Sequence, residues 1–227
     1  MGDKRNKSGR FAGAALAVSL AIPLSGCIAA AVPLAYAAIA ATSGFEAYKV
    51  VQTSTGGSIH VGFVGQDGKE NPPQPLPTVR RVAVWPSDEG NVRFAEKLSA
   101  SGRFDVTPPA RVAVILAGAK MATDLTQLTE REQVDAFETV CQESHADLIF
   151  ASRALGSSVN ANTFSLSRAN TTSRADLFAF SCAKRSIIWR DQIALVIDLG
   201  EKVPSTAEIA QAGGDAWAER VMQAPTI

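Results

Sequence analysis

Three cysteines, two histidines and a scatter of carboxylates are the residues in this 227-residue chain with types suited to chemistry. Two histidines, His60 and His145, leave few members for a hydrolytic triad or a His-based metal site, and neither lies in a ligand motif such as His-x-x-x-His. His60 falls at an alternating position of a strand pattern. His145 falls at the end of a helical pattern, where the helix dipole favours an imidazolium. There is no Gly-x-Ser-x-Gly elbow, no phosphate-binding Gly-x-x-x-x-Gly-Lys and no Gly-x-Gly-x-x-Gly after a strand. Asp88-Glu89 stands between a strand and a helix, a place where α/β proteins bind ligands, and equally one where acids complement a helix N-terminus for about 0.3–1 kcal/mol. Glu130, Glu132 and Asp135 form a solvated helix face, and Asp176, Asp191 and Asp198 occur singly, so no spacing marks a general acid and base. The expectation is therefore no catalytic residue, no metal and no cofactor.

Cys27 is different. Lys4, Arg5, Lys7 and Arg10 precede an almost wholly apolar run from Phe11 to Pro23, then Leu24-Ser25-Gly26-Cys27: the charged region, hydrophobic region and small-residue cleavage site of an exported precursor. The four-residue stretch resembles a lipobox. That pattern implies a diacylglyceryl group on the Cys27 thiol, cleavage of the bond before it and acylation of the new amino terminus. Each buried CH₂ contributes about 0.8 kcal/mol, and two or more chains anchor stably where one binds only marginally. An uncleaved signal anchor is the alternative, because apolar character resumes from Ile28 to Ala41 and a spanning helix needs about 20 apolar residues. Pro23, Gly26, Pro33 and the many alanines weigh against it.

An exported chain places Cys141 and Cys182 in an oxidising compartment, where they are a candidate disulfide. Sequence does not give their separation, and two unlinked buried cysteines remain an equal reading. Neither belongs to a Cys-x-x-Cys motif. The leader holds four of the 22 basic residues and one of the 22 acidic ones, so the remainder carries a net charge of −3. With no Lys/Arg stripe interleaved with aromatics, nucleic acid is excluded as a partner.

The elements that must position these residues follow from periodicity. Residues 1–26 read as signal peptide and 27–44 as a lipidated tether. Residues 45–70 read as a β-hairpin arm, with β-formers from Tyr48 to Thr53 and from Ile59 to Val64 flanking Gly56-Gly57. Pro72, Pro73, Pro75 and Pro77 make 71–78 an extended linker. Residues 79–222 read as one α/β domain. A strand spans 79–85, a helix 91–101 ends at Gly102, and a short strand covers 103–107. The stretch 112–120 is ambiguous, with length and alanines favouring helix. Thr129 and Glu132 make a capping box for a helix to His145, and Leu148 to Ala154 is the next strand. Segments 163–169, 175–183 and 186–198 imply an antiparallel meander. Ser205 and Glu208 cap a final helix to Met222, weakened by Gly213-Gly214 at up to about 1 kcal/mol each. The fold class expected is α/β: a mixed sheet packed with helices, an antiparallel C-terminal meander and an N-terminal hairpin arm.

Arg81-Val82-Ala83-Val84-Trp85-Pro86, then Phe94-Ala95-Glu96-Lys97-Leu98-Ser99-Ala100-Ser101-Gly102-Arg103-Phe104-Asp105-Val106, resembles the opening of the CsgG-like superfamily of bacterial envelope lipoproteins, with its LpoB-, PelC- and TolB-N-terminal-like groups. Ala146 to Ser152 is similar to the group's central strand and Ser186-Ile187-Ile188-Trp189 to its later hairpin. The resemblance implies an α/β sandwich used for assembly, not catalysis. It implies an outer-membrane lipoprotein facing the periplasm, since Ile28 rather than Asp follows Cys27. Its partners would be the membrane, through the lipid, and an envelope protein or further copies of itself. The polar stretch Leu155 to Thr172 lacks an alternating band suited to a membrane-spanning strand of about 9–11 residues. Trp85, Trp189 and Trp217 are candidate anchors, with core packing as the plainer role. The alternative function is a periplasmic ligand-binding module for glycan or peptide, using the loop Pro86 to Asn91 and strand ends near Arg153, with Arg153 and Arg190 available to acidic groups.

Overall fold

The computed structural model describes residues 49–54, 56–64, 72–162, 165–198 and 202–227. The segments expected to be signal peptide (1–26) and lipidated tether (27–44), with Cys27, lie outside them. Seven strands form one mixed sheet in the order β1-β2-β7-β6-β5-β3-β4. These are β1 (Lys49–Gln52), β2 (Ser58–Phe63), β3 (Arg81–Val84), β4 (Asp105–Thr107), β5 (Leu148–Asn162), β6 (Ser165–Ser181) and β7 (Ser186–Asp198). β3 runs parallel to β4 and β5, and the remaining pairs are antiparallel.

Among the described residues, four α-helices cover the sheet: α1 (Glu89–Ala100), α2 (Pro109–Gly118), α3 (Glu130–Ser144) and α4 (Thr206–Gln223). Alternation sorts the strands between two cores. Val82, Val84, Leu148 and Phe150 face α1 and α4, while Ala83, Trp85, Ile149 and Ala151 face α2 and α3. Trp85, Trp189 and Trp217 are all buried, so none is a surface anchor. Trp217 stacks on Phe94 with ring centroids 3.7 Å apart, and Trp85 donates from Nε1 to the Thr123 carbonyl at 2.6 Å.

Helix boundaries follow local chemistry. α1 begins two residues ahead of its apolar pattern because the Asp88 carboxylate accepts the Asn91 N–H at 3.0 Å, closing the first turn. Pro109 at the first turn of α2 settles the ambiguous stretch as helix. The capping boxes expected for α3 and α4 are both formed, and His145 ends α3 in the left-handed region at φ 54°.

The hairpin expected ahead of the domain is built into its sheet. β2 pairs with β7 from Ile59↔Ile197 to Phe63↔Ile193, and Ile59, Val61 and Phe63 lie in the core. Gly56, at φ 85°, makes the turn. The proline-rich segment is tied down as well. Leu76 is buried and exchanges backbone hydrogen bonds with Pro225 and Ile227. The segments expected at 163–169 and 175–183 are one 17-residue strand, β6. Its polar middle, Asn170 to Arg174, is paired with β5 on one side and β7 on the other, and two ladders carry the strand through residues that read as a turn.

Two long-range fastenings hold the layers. Arg220 on α4 donates from Nε to Asp191 on β7 at 2.9 Å, with both side chains 1% exposed, and lies 4.5 Å over the Phe63 ring. Burial pushes the Asp191 carboxyl up, opposed by this bond. On the other face, Cys141 of α3 and Cys182 after β6 are disulfide-bonded with Cα atoms 5.7 Å apart. One helical turn earlier, Glu138 pairs with Arg185 of the β6–β7 turn.

Candidate functional site

A recess of about 500 Å³ lies where the start of α1, the middle of α4 and strands β5 to β7 meet. Two adjacent glycines of α4 create it. A Cβ at Gly214 would stand 2.5 Å from the Gly90 carbonyl oxygen and 2.8 Å from Arg93 Cβ, so α4 touches α1 backbone to backbone there. A Cβ at Gly213 would meet only the Leu195 side chain, Cδ1 at 3.4 Å and Cδ2 at 4.0 Å, and the missing side chain leaves room over the sheet.

The walls are Ala175, Leu177, Ile193, Leu195, Ile209 and Trp217. Asp88, Glu89, Asn91, Ser152 and Thr206 supply the polar groups. Asn91 is a buried strut: it donates from Nδ2 to the Trp85 carbonyl at 2.8 Å and accepts at Oδ1 from Ser152 Oγ at 2.7 Å. This fixes α1 against β3 and β5 and keeps the polar rim in place. Asp88 and Glu89 are exposed, and among the described residues neither is in an ion pair. The nearest cation on α1 is spoken for, since Arg93 binds Asp215 at 2.7 Å and Glu96 at 3.3 Å. The recess is thus an apolar slot with an acidic rim.

In the first turn of α4, next to the recess residues Thr206 and Ile209, Glu208 accepts from the Ser205 N–H and hydroxyl through one oxygen and from the Ser54 N–H and hydroxyl through the other. These bonds hold its carboxyl down at about 2 and join the β1–β2 turn to the helix start.

Of Asp88-Glu89, Asp88 caps α1, and both residues line the recess. Arg153 lies beside Ser152 on β5, but its guanidinium binds Asp176 across the ladder at 2.8 Å and does not enter the recess. His60 is buried, with Nε2 3.2 Å from Ser58 Oγ, and His145 is an exposed helix terminus. Among the described residues no group of three or more His, Cys, Asp or Glu is placed to hold a metal ion. No described helix is long and apolar enough to cross a membrane. Sequence reasoning missed the wall residues Leu177, Ile193 and Ile209, which read as ordinary core. The Gly-Gly pair inside a helix was the available signal.

No protein-family model matches the chain, and no curated protein matches it. Among solved structures, the chain is similar to lipoprotein GNA1162 from Neisseria meningitidis, at 13% identity over 63% of this chain and 99% of that one, with a TM-score of 0.41. It is also similar to the PelC dodecamer from Paraburkholderia phytofirmans, at 8% identity over 74% and 98%, TM-score 0.38. A third likeness is to the LpoB C-terminal domain from Salmonella enterica, at 12% identity over 52% and 84%, TM-score 0.37.

Proposed function

We propose that this chain is a non-catalytic lipoprotein of the outer membrane, held at the periplasmic face by acyl chains on Cys27. Its folded body assembles or regulates an envelope machine for secretion, polysaccharide export or peptidoglycan synthesis, by self-association or by docking a protein partner. The observation that carries the reading is Leu24-Ser25-Gly26-Cys27 behind a basic and apolar leader. The edge of β5 supports a docking role: beyond Phe150 it is paired with β6 on one side only among the described residues, and Leu155 and Val159 are 47% and 64% exposed. An oxidising periplasm also suits the Cys141–Cys182 bond.

Metabolic labelling with a fatty-acid probe tests the anchor. Wild type should take up label and fractionate with outer membranes, and Cys27→Ser should do neither; an unlabelled wild type overturns the reading. A photo-crosslinking residue at Val159 tests docking. A crosslinked second copy or envelope protein supports it, and a strictly monomeric, uncrosslinked chain in intact cells refutes it.

A further inference from the structure

We infer that the recess between α1, α4 and β5–β7 is a binding site for an aliphatic molecule with a cationic amine head. This goes beyond the anchoring and docking proposed above and does not depend on them.

Volume and walls set the body of the ligand. About 500 Å³ lies within the range of about 300–1,000 Å³ typical of small-molecule sites, which are mostly apolar with a few placed polar groups. Leu177, Ile193 and Ile209 offer hydrocarbon along the slot and nothing to satisfy hydroxyls, so a glycan would lose its hydration there without replacement.

The rim sets the head. The N-termini of α1 and α4 each contribute roughly half a positive charge, and the Asp88 carboxylate already caps the Asn91 N–H. Asp88 and Glu89 at the rim, with Glu208 in the first turn of α4, outweigh them. Arg93 and Arg153 do not cancel them, since each is paired with an acid of its own, Asp215 and Asp176. The rim therefore favours an ammonium and repels a carboxylate. An amine at the rim, with its chain directed between β7 and α4, fills the slot and satisfies the acids.

The test uses the full chain in nanodiscs of zwitterionic lipid, photolabelled with a diazirine-bearing octylamine and mapped by peptide mass spectrometry. Labels should fall within residues 175–195 and 206–217. Competing n-alkylamines from butylamine upward should gain about fourfold per methylene, the factor for one buried CH₂, until the slot is full. Octanoate should compete roughly tenfold less well than octylamine, the scale of one charge-assisted contact. Asp88→Asn combined with Glu89→Gln keeps a capping side chain on α1 and should erase the preference for amine over carboxylate. Gly213→Leu should fill the slot and abolish labelling while the chain still melts cooperatively. Labelling confined to other segments, octanoate competing as well as octylamine, or undiminished labelling of folded Gly213→Leu overturns the inference. Should Gly213→Leu not fold, the rim double variant and the octanoate comparison decide alone.

Discussion

Gly213 and Gly214 are neighbours in one helix, and alanine at each should move stability in opposite directions. Glycine inside a helix costs about 0.8–1 kcal/mol relative to alanine, so both substitutions begin with that gain. At Gly213 the new methyl makes an ordinary contact, 3.4 Å from Leu195 Cδ1, and the gain survives. At Gly214 it would lie 2.5 Å from the Gly90 carbonyl oxygen, 2.8 Å from Arg93 Cβ and 3.0 Å from the Phe94 amide nitrogen. Two of those three atoms are backbone, which no rotamer change relieves, so α1 and α4 must separate and the Phe94–Trp217 stack must loosen. Overpacking costs about 1–3 kcal/mol, and an obstacle of this kind belongs at the upper end. The net expectation is a gain of up to about 1 kcal/mol for Gly213→Ala and a loss of about 2 kcal/mol for Gly214→Ala. For a domain of this size each kcal/mol moves Tm by about 2–4 °C, so the pair should straddle wild type by roughly 6–12 °C in total. Thermal unfolding followed by circular dichroism reads this directly. Equal shifts, or a neutral Gly214→Ala, would show that the helices do not touch through their backbones.

Three further outcomes follow from features on other faces. Replacing Cys141 and Cys182 with serine opens a bridge with a sequence separation of 41 residues and should lower stability by about 2–4 kcal/mol, measured by urea unfolding with and without reductant. Asn91→Ala strands the Ser152 hydroxyl in a buried site and leaves the Trp85 carbonyl with the Ser87 N–H alone, and should cost about 1–3 kcal/mol by chemical denaturation; a loss under about 0.5 kcal/mol would show that the strut carries little. The Glu208 carboxyl, near 2 in the folded chain against 4.5 normally, contributes stability that is complete above about pH 4.5 and lost as pH falls toward 2. Melts of wild type and Glu208→Gln should therefore differ at pH 6 and converge near pH 2, whereas a constant offset across that range would contradict the assignment.

Local chemistry was legible where it is read locally. Thr129 with Glu132 and Ser205 with Glu208 announce helix starts, and Gly56-Gly57 between β-formers announces a hairpin. Pairings between distant segments left no such trace. That β2 lies against β7 depends on which edge of the sheet remains open, a property of the assembled layers. The continuity of β6 through Asn170 to Arg174 depends on having a partner strand on each side, so a polar stretch that would turn in isolation stays extended. The recess was half visible. Asp88-Glu89 marked its rim, but Leu177, Ile193 and Ile209 become walls rather than filled core only because Gly213 brings no side chain to cover them. The distance between Cys141 and Cys182 was beyond reach for the same reason as the strand order.

The pairing of β2 with β7 also dictates a timetable for self-organisation. Ile59 to Phe63 are made well before their ladder partners, Ile193 to Ile197. Until that late segment exists, an apolar ribbon has no docking place, and closing so large a loop places the molecule among slow, non-local folders. A nascent chain with this architecture keeps the β2 ribbon unpaired until β7 has been made.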